Sequence, residues 1–126
     1  MNVKSDFFYT KDHEWLSIQG DTATIGITDH AQSQLGDIVF VELPEVGTGV
    51  KVGDTLGVVE STKAVSDFYS SVEGNVTAIN SELPDTPDKL NSDPYGAWLV
   101  RVKFTKKNPE LMDAKAYSKY IEEEHK

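Results

Sequence analysis

Short runs of alternating apolar residues, each cut off by glycine or proline, run through most of this chain and leave little room for anything but a mainly β fold. Period-two alternation puts every second side chain on one face, which is the pattern of a half-buried strand. Ala23, Ile25 and Ile27 share one side of residues 22–27, and Val39, Val41 and Leu43 alternate until Pro44 ends the run. Residues 98–104 carry the clearest signal, with Trp98, Val100, Val102 and Phe104 at period two. Residues 14–18, 56–60, 65–69 and 76–79 read as further strands.

Helices are fewer. Thr28 reads as an N-cap followed by Asp29, and Gly36 as the stop just past Leu35, which predicts one short helix in the N-terminal half. Residues 87–90 suit a single turn. Near the end Asn108 reads as a cap, with Pro109 at the first helical position and Glu110 at the positive helix end. Leu111, Ala114, Tyr117 and Ile121 then share a face; Asp113 is the alternative start of a helix here. Residues 122–126 read as a solvated, fraying tail, within which Glu122, Glu123 and Glu124 read as a solvated helix end. No linker or low-complexity stretch interrupts the chain. The expectation is one domain over residues 1–126, with 108–126 as a C-terminal helical extension.

Charge and composition remove several function classes. A net charge of -9 repels phosphate backbones and anionic lipid, so neither nucleic acid nor a membrane surface is expected as a partner. With no cysteine, the chain has no thiol nucleophile, disulfide or thiolate metal site, and any sulfur chemistry must arrive on an attached group. No apolar run reaches membrane-spanning length, and Met1 to Asp6 has neither a secretory apolar core nor an Arg-rich transit pattern, so a cytoplasmic protein is expected. The mature form of a mitochondrial matrix protein would read the same way. His13 and His125 lack partners at metal-ligand spacing, so no metal site is expected. Trp15 and Trp98 read as packing residues. Gly47-Thr48-Gly49 is not a phosphate loop, and no motif joins a nucleophile to a base, so no catalytic residue is assigned.

Lys63 sits between two apolar strands in Gly57-Val58-Val59-Glu60-Ser61-Thr62-Lys63-Ala64-Val65-Ser66-Asp67. Turn residues Gly53-Asp54 before it and Gly74-Asn75 after it stand at similar distances, which places Lys63 near a hairpin tip where a modifying enzyme can reach the amine. By spacing alone, an exposed lysine beside a turn is ordinary solvated surface.

The segment Glu60-Ser61-Thr62-Lys63-Ala64, with Ser66-Asp67 and Tyr69-Ser70-Ser71-Val72-Glu73-Gly74 after it, resembles the attachment site of lipoyl domains, and most closely that of glycine cleavage H proteins. Further blocks match in the same order: Tyr9-Thr10-Lys11-Asp12-His13-Glu14-Trp15, Ile25-Gly26-Ile27-Thr28-Asp29-His30-Ala31-Gln32, residues 35–44, and Asn91-Ser92-Asp93-Pro94-Tyr95. The resemblance spans essentially the whole chain. Two departures stand out. Ser71 replaces a usual proline, and only Gly96 and Ala97 separate Tyr95 from Trp98, one residue fewer than the family pattern, which shortens a surface loop.

The resemblance implies a lipoyl-type barrel-sandwich hybrid of two small antiparallel sheets, with Lys63 on a hairpin carrying lipoic acid in amide linkage as N6-lipoyllysine. Glu60 and Ala64 would serve attachment-site recognition. It implies a carrier, not an enzyme, that moves the aminomethyl group of decarboxylated glycine into one-carbon metabolism. Its partners would be the pyridoxal-phosphate-dependent glycine decarboxylase, the folate-dependent aminomethyltransferase, dihydrolipoamide dehydrogenase and a lipoate-attaching enzyme. A cleft for the loaded arm would draw on Glu14, Asp67, His30 and Leu35. On their residues alone, Glu14 and Asp67 read equally as surface acids, His30 as an exposed helix residue and Leu35 as core. A lipoyl relay to other lipoyl domains is an alternative, as is an unmodified interaction module. A biotinyl carrier is a further alternative, although Thr62 and Ala64 stand where biotin domains have methionine.

Overall fold

The computed structural model describes residues 3–124. In chain order it contains β1 (Phe8–Tyr9), β2 (Glu14–Gln19), β3 (Thr22–Ile27), α1 (Asp29–Leu35), β4 (Ile38–Glu42), β5 (Gly49–Val50), β6 (Thr55–Ser61), β7 (Val65–Tyr69), β8 (Val72–Ile79), α2 (Lys89–Ser92), β9 (Val100–Lys107) and α3 (Ala114–Glu124). A six-stranded sheet has the order β1-β2-β3-β9-β8-β5, and a three-stranded sheet the order β4-β6-β7. Every pairing is antiparallel. The mainly β architecture of two antiparallel sheets is as expected, and the sheets remain two separate hydrogen-bonded units instead of one closed barrel.

The main core is filled from both sheets. Leu16, Ala23, Ile25, Val76, Val100 and Val102 from the larger sheet join Ile38, Val41, Val59 and Phe68 from the smaller one. A second, aromatic cluster lies apart from it, where Tyr9 and Trp15 receive Tyr117 and Ile121 of α3. Tyr9 and Tyr117 stack with ring centroids 4.5 Å apart and planes within 7° of parallel. Two backbone bonds of 2.8 Å between Tyr9 and Met112 secure the segment entering α3.

Several strand details depart from the alternation pattern. In β4 the buried residues are Ile38 and Val41, and Val39 is 53% exposed. A bulge between Ile38 and Phe40 shifts the register, so Val39 leaves the inward face that Val41 and Leu43 keep. Gly74 and Asn75 lie inside β8 and make no turn. A Cβ at Gly74 would collide with the Lys103 carbonyl across the β8–β9 bulge, so the glycine serves close approach between strands. Trp98 precedes β9 and packs on the aromatic cluster, with the Arg101 guanidinium 4.0 Å from its ring centroid. The two-residue strands β1 and β5 carried no recognisable pattern.

Helix ends follow local chemistry. The Thr28 hydroxyl caps α1 by accepting the Ala31 amide at 3.1 Å, an arrangement worth about 1 kcal/mol. The last helix starts just after Asp113, whose Oδ1 caps it by accepting the Ala116 amide at 2.8 Å. Asn108 instead closes a turn onto the Glu110 amide at 2.9 Å, so the first of the two sequence readings is displaced by the second. Residues 122–124 are helical and exposed, as the reading of Glu122, Glu123 and Glu124 as a solvated helix end requires, and do not fray; His125 and Lys126 lie outside the described residues. The expected turn at 87–90 is present, with the Leu90 amide donating to the Pro87 carbonyl at 3.2 Å, and it runs on into α2. In the short loop before Trp98, Gly96 and Ala97 donate their amides to the Asp93 carbonyl, which closes it tightly. Among the described residues, no helix is long and apolar enough to cross a membrane.

Candidate functional site

Lys63 occupies the tip of the β6–β7 hairpin, and its side chain is exposed. The tip is held by the buried residue Ser61. Its amide donates to the Ala64 carbonyl at 2.8 Å, and its Oγ accepts the amides of Ala64 at 3.0 Å and Lys63 at 3.3 Å. The Thr62 amide reaches across to the Asp37 carbonyl at 3.0 Å, tying the tip to the turn after α1. That turn contains Gly36 at φ 79, a left-handed backbone that favours glycine. A Cβ there would lie 3.3 Å from Lys63 Cε, so glycine leaves the lysine stem room to lie along the turn. Lys63 forms no ion pair among the described residues. The result is a rigid backbone beneath a freely presented amine.

Glu60 and Ala64 flank this tip on the same hairpin, Glu60 half-buried and paired with Val65, Ala64 exposed. Asp67 lies farther along β7, exposed and opposite Val58. Beyond it, at the far end of β7, the Tyr69 amide donates to Glu14 Oε2 at 2.8 Å. Asp67 thus stands two residues from the Glu14 contact, about 7 Å along an extended strand.

Glu14 is only 2% exposed. Thr10 Oγ1 donates to its Oε1 at 2.9 Å, and Thr10 Oγ1 also accepts the Glu14 amide at 3.1 Å. Both donors to the carboxylate are neutral, and no cation pairs with it among the described residues. Burial pushes the carboxyl up to about 7, against the hydrogen bonds from Tyr69 and Thr10 that hold it down. It faces a cleft of about 350 Å³ lined also by Thr10, Lys11, Asp12, Tyr69 and Ser70. An uncompensated buried carboxylate in an open cleft is suited to receiving a small cation.

The four expected cleft residues do not converge. Glu14 lines the cleft, and Asp67 stands on the exposed strand face near it. Leu35 packs against the main core, as its residue type suggested. His30 is buried, at 3% exposure, which corrects its reading as an exposed helix residue. It belongs to a separate pocket with His13, Gln34 and Glu124. His13 therefore has partners at ligand distance after all, drawn from opposite ends of the chain where no spacing rule could find them. The supporting roles of Ser61, Thr10 and Gly36 were also unread, although all three lie within the quoted motif blocks.

A family sequence model described as "Glycine cleavage H-protein" matches residues 7–124. A glycine cleavage system H protein of Rubrobacter xylanophilus is 53% identical over 123 residues, covering 97% of this chain and 97% of that protein. One from Burkholderia vietnamiensis is 55% identical over 124 residues, with 96% and 98% covered. The crystal structure of a glycine cleavage system H protein from Mycobacterium marinum superposes with a TM-score of 0.90 at 41% identity, covering 95% of this chain and 99% of that one.

Proposed function

The chain belongs to the glycine cleavage H-protein family, whose members carry lipoic acid on a lysine as a non-catalytic component of that system, and we propose that Lys63 is the lysine that carries it. The single observation that supports this assignment most is the Ser61-braced tip with the Lys63 side chain exposed beyond it. Amide formation at Nζ removes the lysine charge and lengthens the side chain into an arm. The attached dithiolane supplies a strained disulfide that opens readily to nucleophiles and returns to the ring on oxidation. The chain's own residues do the positioning. Ser61 and the Thr62–Asp37 bond fix the root of the arm, so its reach sweeps a defined volume and raises the effective concentration of the carried group at each partner.

The chain works with the other components of the glycine cleavage system. We assign the individual partners as the pyridoxal-phosphate-dependent decarboxylase, the aminomethyltransferase, dihydrolipoamide dehydrogenase and a lipoate-attaching enzyme that reads Glu60 and Ala64. Val39, Phe40 and Val65, each about half exposed or more on the sheet bearing Lys63, offer apolar contact area for these enzymes. A cytoplasmic location fits this assignment and the bacterial relatives.

Glu14 is the residue best suited to hold the methylammonium end of the loaded arm, with Asp67 as the exposed carboxylate beside the approach. A bound cation would draw the Glu14 carboxyl back to its charged form and relieve its burial. The decisive experiment is intact and peptide mass spectrometry of protein expressed with its lipoylating enzyme. A lipoyl increment confined to the peptide holding Lys63, and absent from Lys63→Arg, is the expected result. An unmodified Lys63 in fully lipoylation-competent cells overturns the assignment.

A further inference from the structure

We propose that His13, His30 and Glu124 form a binding site for a transition-metal dication of the zinc class, independent of the lysine arm. Three chain segments bring these residues together. His13 precedes β2, His30 is the second residue of α1, and Glu124 ends α3. The Nε2 atoms of both histidines approach the same carboxylate oxygen, Glu124 Oε2, at 3.2 Å from His13 and 3.3 Å from His30. All three ligand atoms lie within 4.8 Å of one another. Tetrahedral zinc with Zn–N and Zn–O bonds of about 2.0–2.2 Å sets ligand–ligand separations near 3.3–3.4 Å. The two nitrogen–oxygen edges already have that length, and the two nitrogens lie within 4.8 Å of each other.

The surroundings of His13 orient it as a ligand. Its Nδ1 lies 2.9 Å from the Tyr117 hydroxyl, which lies 2.7 Å from Thr28 Oγ1. In the tautomer with its proton on Nδ1, a chain from Nδ1–H to Tyr117 to Thr28 leaves the Nε2 lone pair turned toward Glu124, and this is the tautomer a metal at the site selects. In that tautomer the lone pair and the carboxylate oxygen repel unless a positive centre lies between them, whereas a proton on Nε2 would make the contact a hydrogen bond. Hydrogen bonding of the distal ring nitrogen is the usual way a metal-binding histidine is held in the right tautomer. His30 is fixed by burial, and Glu124 is half-exposed, so the site is braced on one side and open on the other. Gln34 stands on its rim. Two imidazoles and one carboxylate favour zinc, cobalt or nickel over magnesium or calcium, which prefer all-oxygen shells. Occupancy would staple α3 to α1 and to the loop before β2.

The competing account is a proton on Nε2 donated to Glu124, with no metal affinity. The test uses the full chain, unlipoylated so that no dithiol competes, and stripped by chelator. Zinc chloride is titrated calorimetrically near neutral pH, and cobalt binding is followed by its visible spectrum. The expected result is one zinc per chain, a raised melting temperature, ring-nitrogen NMR shifts confined to His13 and His30, and no response to magnesium. Glu124→Gln and His13→Asn should each weaken zinc at least tenfold. Glutamine keeps the size of Glu124, and asparagine tolerates the φ of 65 at position 13, so both variants should fold. Absence of saturable one-to-one binding, or binding equally tight in both variants, overturns the site and leaves an ion pair only.

Discussion

Tyr69 donates its backbone amide to Glu14 at 2.8 Å, so the far end of the strand that begins beside Lys63 terminates on the one carboxylate that is buried among the described residues and faces a cleft. Strand and carboxylate are thereby registered to each other by a backbone contact, which side-chain motion at the tip cannot disturb.

Replacing Glu14 by Gln keeps the volume and removes the charge. In the carrier loaded with an aminomethyl group, this variant should lose the group as free ammonia and formaldehyde several-fold faster than the parent chain, with lipoylation unchanged. Asp67→Ala should show a smaller effect of the same sign. Lifetimes of the loaded form, followed by mass spectrometry, check both; equal lifetimes for parent and Glu14→Gln would remove Glu14 from the cleft's function.

The raised Glu14 carboxyl also sets a pH dependence of stability. Its ordinary value is 4.5 and its folded value about 7, so between these the folded chain holds the proton more tightly than the unfolded one. Stability therefore falls as pH rises through this window. The loss is complete above pH 7 and absent below pH 4.5, and it is on the order of 3 kcal/mol. Urea midpoints compared between parent and Glu14→Gln should diverge in favour of the variant at about pH 8 and converge at about pH 5.

Ser61→Ala deletes the acceptor for two amides at the hairpin tip. A loss of about 1 kcal/mol is expected, lowering the melting temperature by roughly 4 °C. The more telling readout is the rate of lipoate attachment, which should fall further than global stability accounts for, because the backbone beneath Lys63 is loosened.

Asp113→Ala removes the cap of α3 and should cost about 1 kcal/mol of helix stability. Far-ultraviolet circular dichroism should show lost helicity, and Asp113→Asn, which can still accept the Ala116 amide, should retain most of it.

Much of this architecture was legible because strands announce themselves locally. Residues 22–27 gave both their boundaries and their buried face, and Thr28 and Gly36 bracketed α1 through capping chemistry that acts within one turn. The lysine hairpin was legible by likeness of motif, since an exposed lysine has no physical signature of its own. What escaped was non-local. The β4 bulge depends on the partner strand, so its phase was not written in residues 38–42. Two-residue strands are too short for any period. The burial of His30 follows from α3 arriving over it, and no spacing within residues 28–36 foretells that.

The division of the interior into an aliphatic core and a separate aromatic cluster has a mechanical consequence. The C-terminal helix can detach by opening the aromatic cluster together with the polar contacts of Tyr117 and Glu124, without water entering the space between the sheets. Amides of residues 114–124 should exchange with deuterium by a sub-global route, while those of β3 and β9 wait for complete unfolding. The lysine hairpin belongs to the slow-exchanging body, so the carrier's anchor outlasts transient loss of its own terminus.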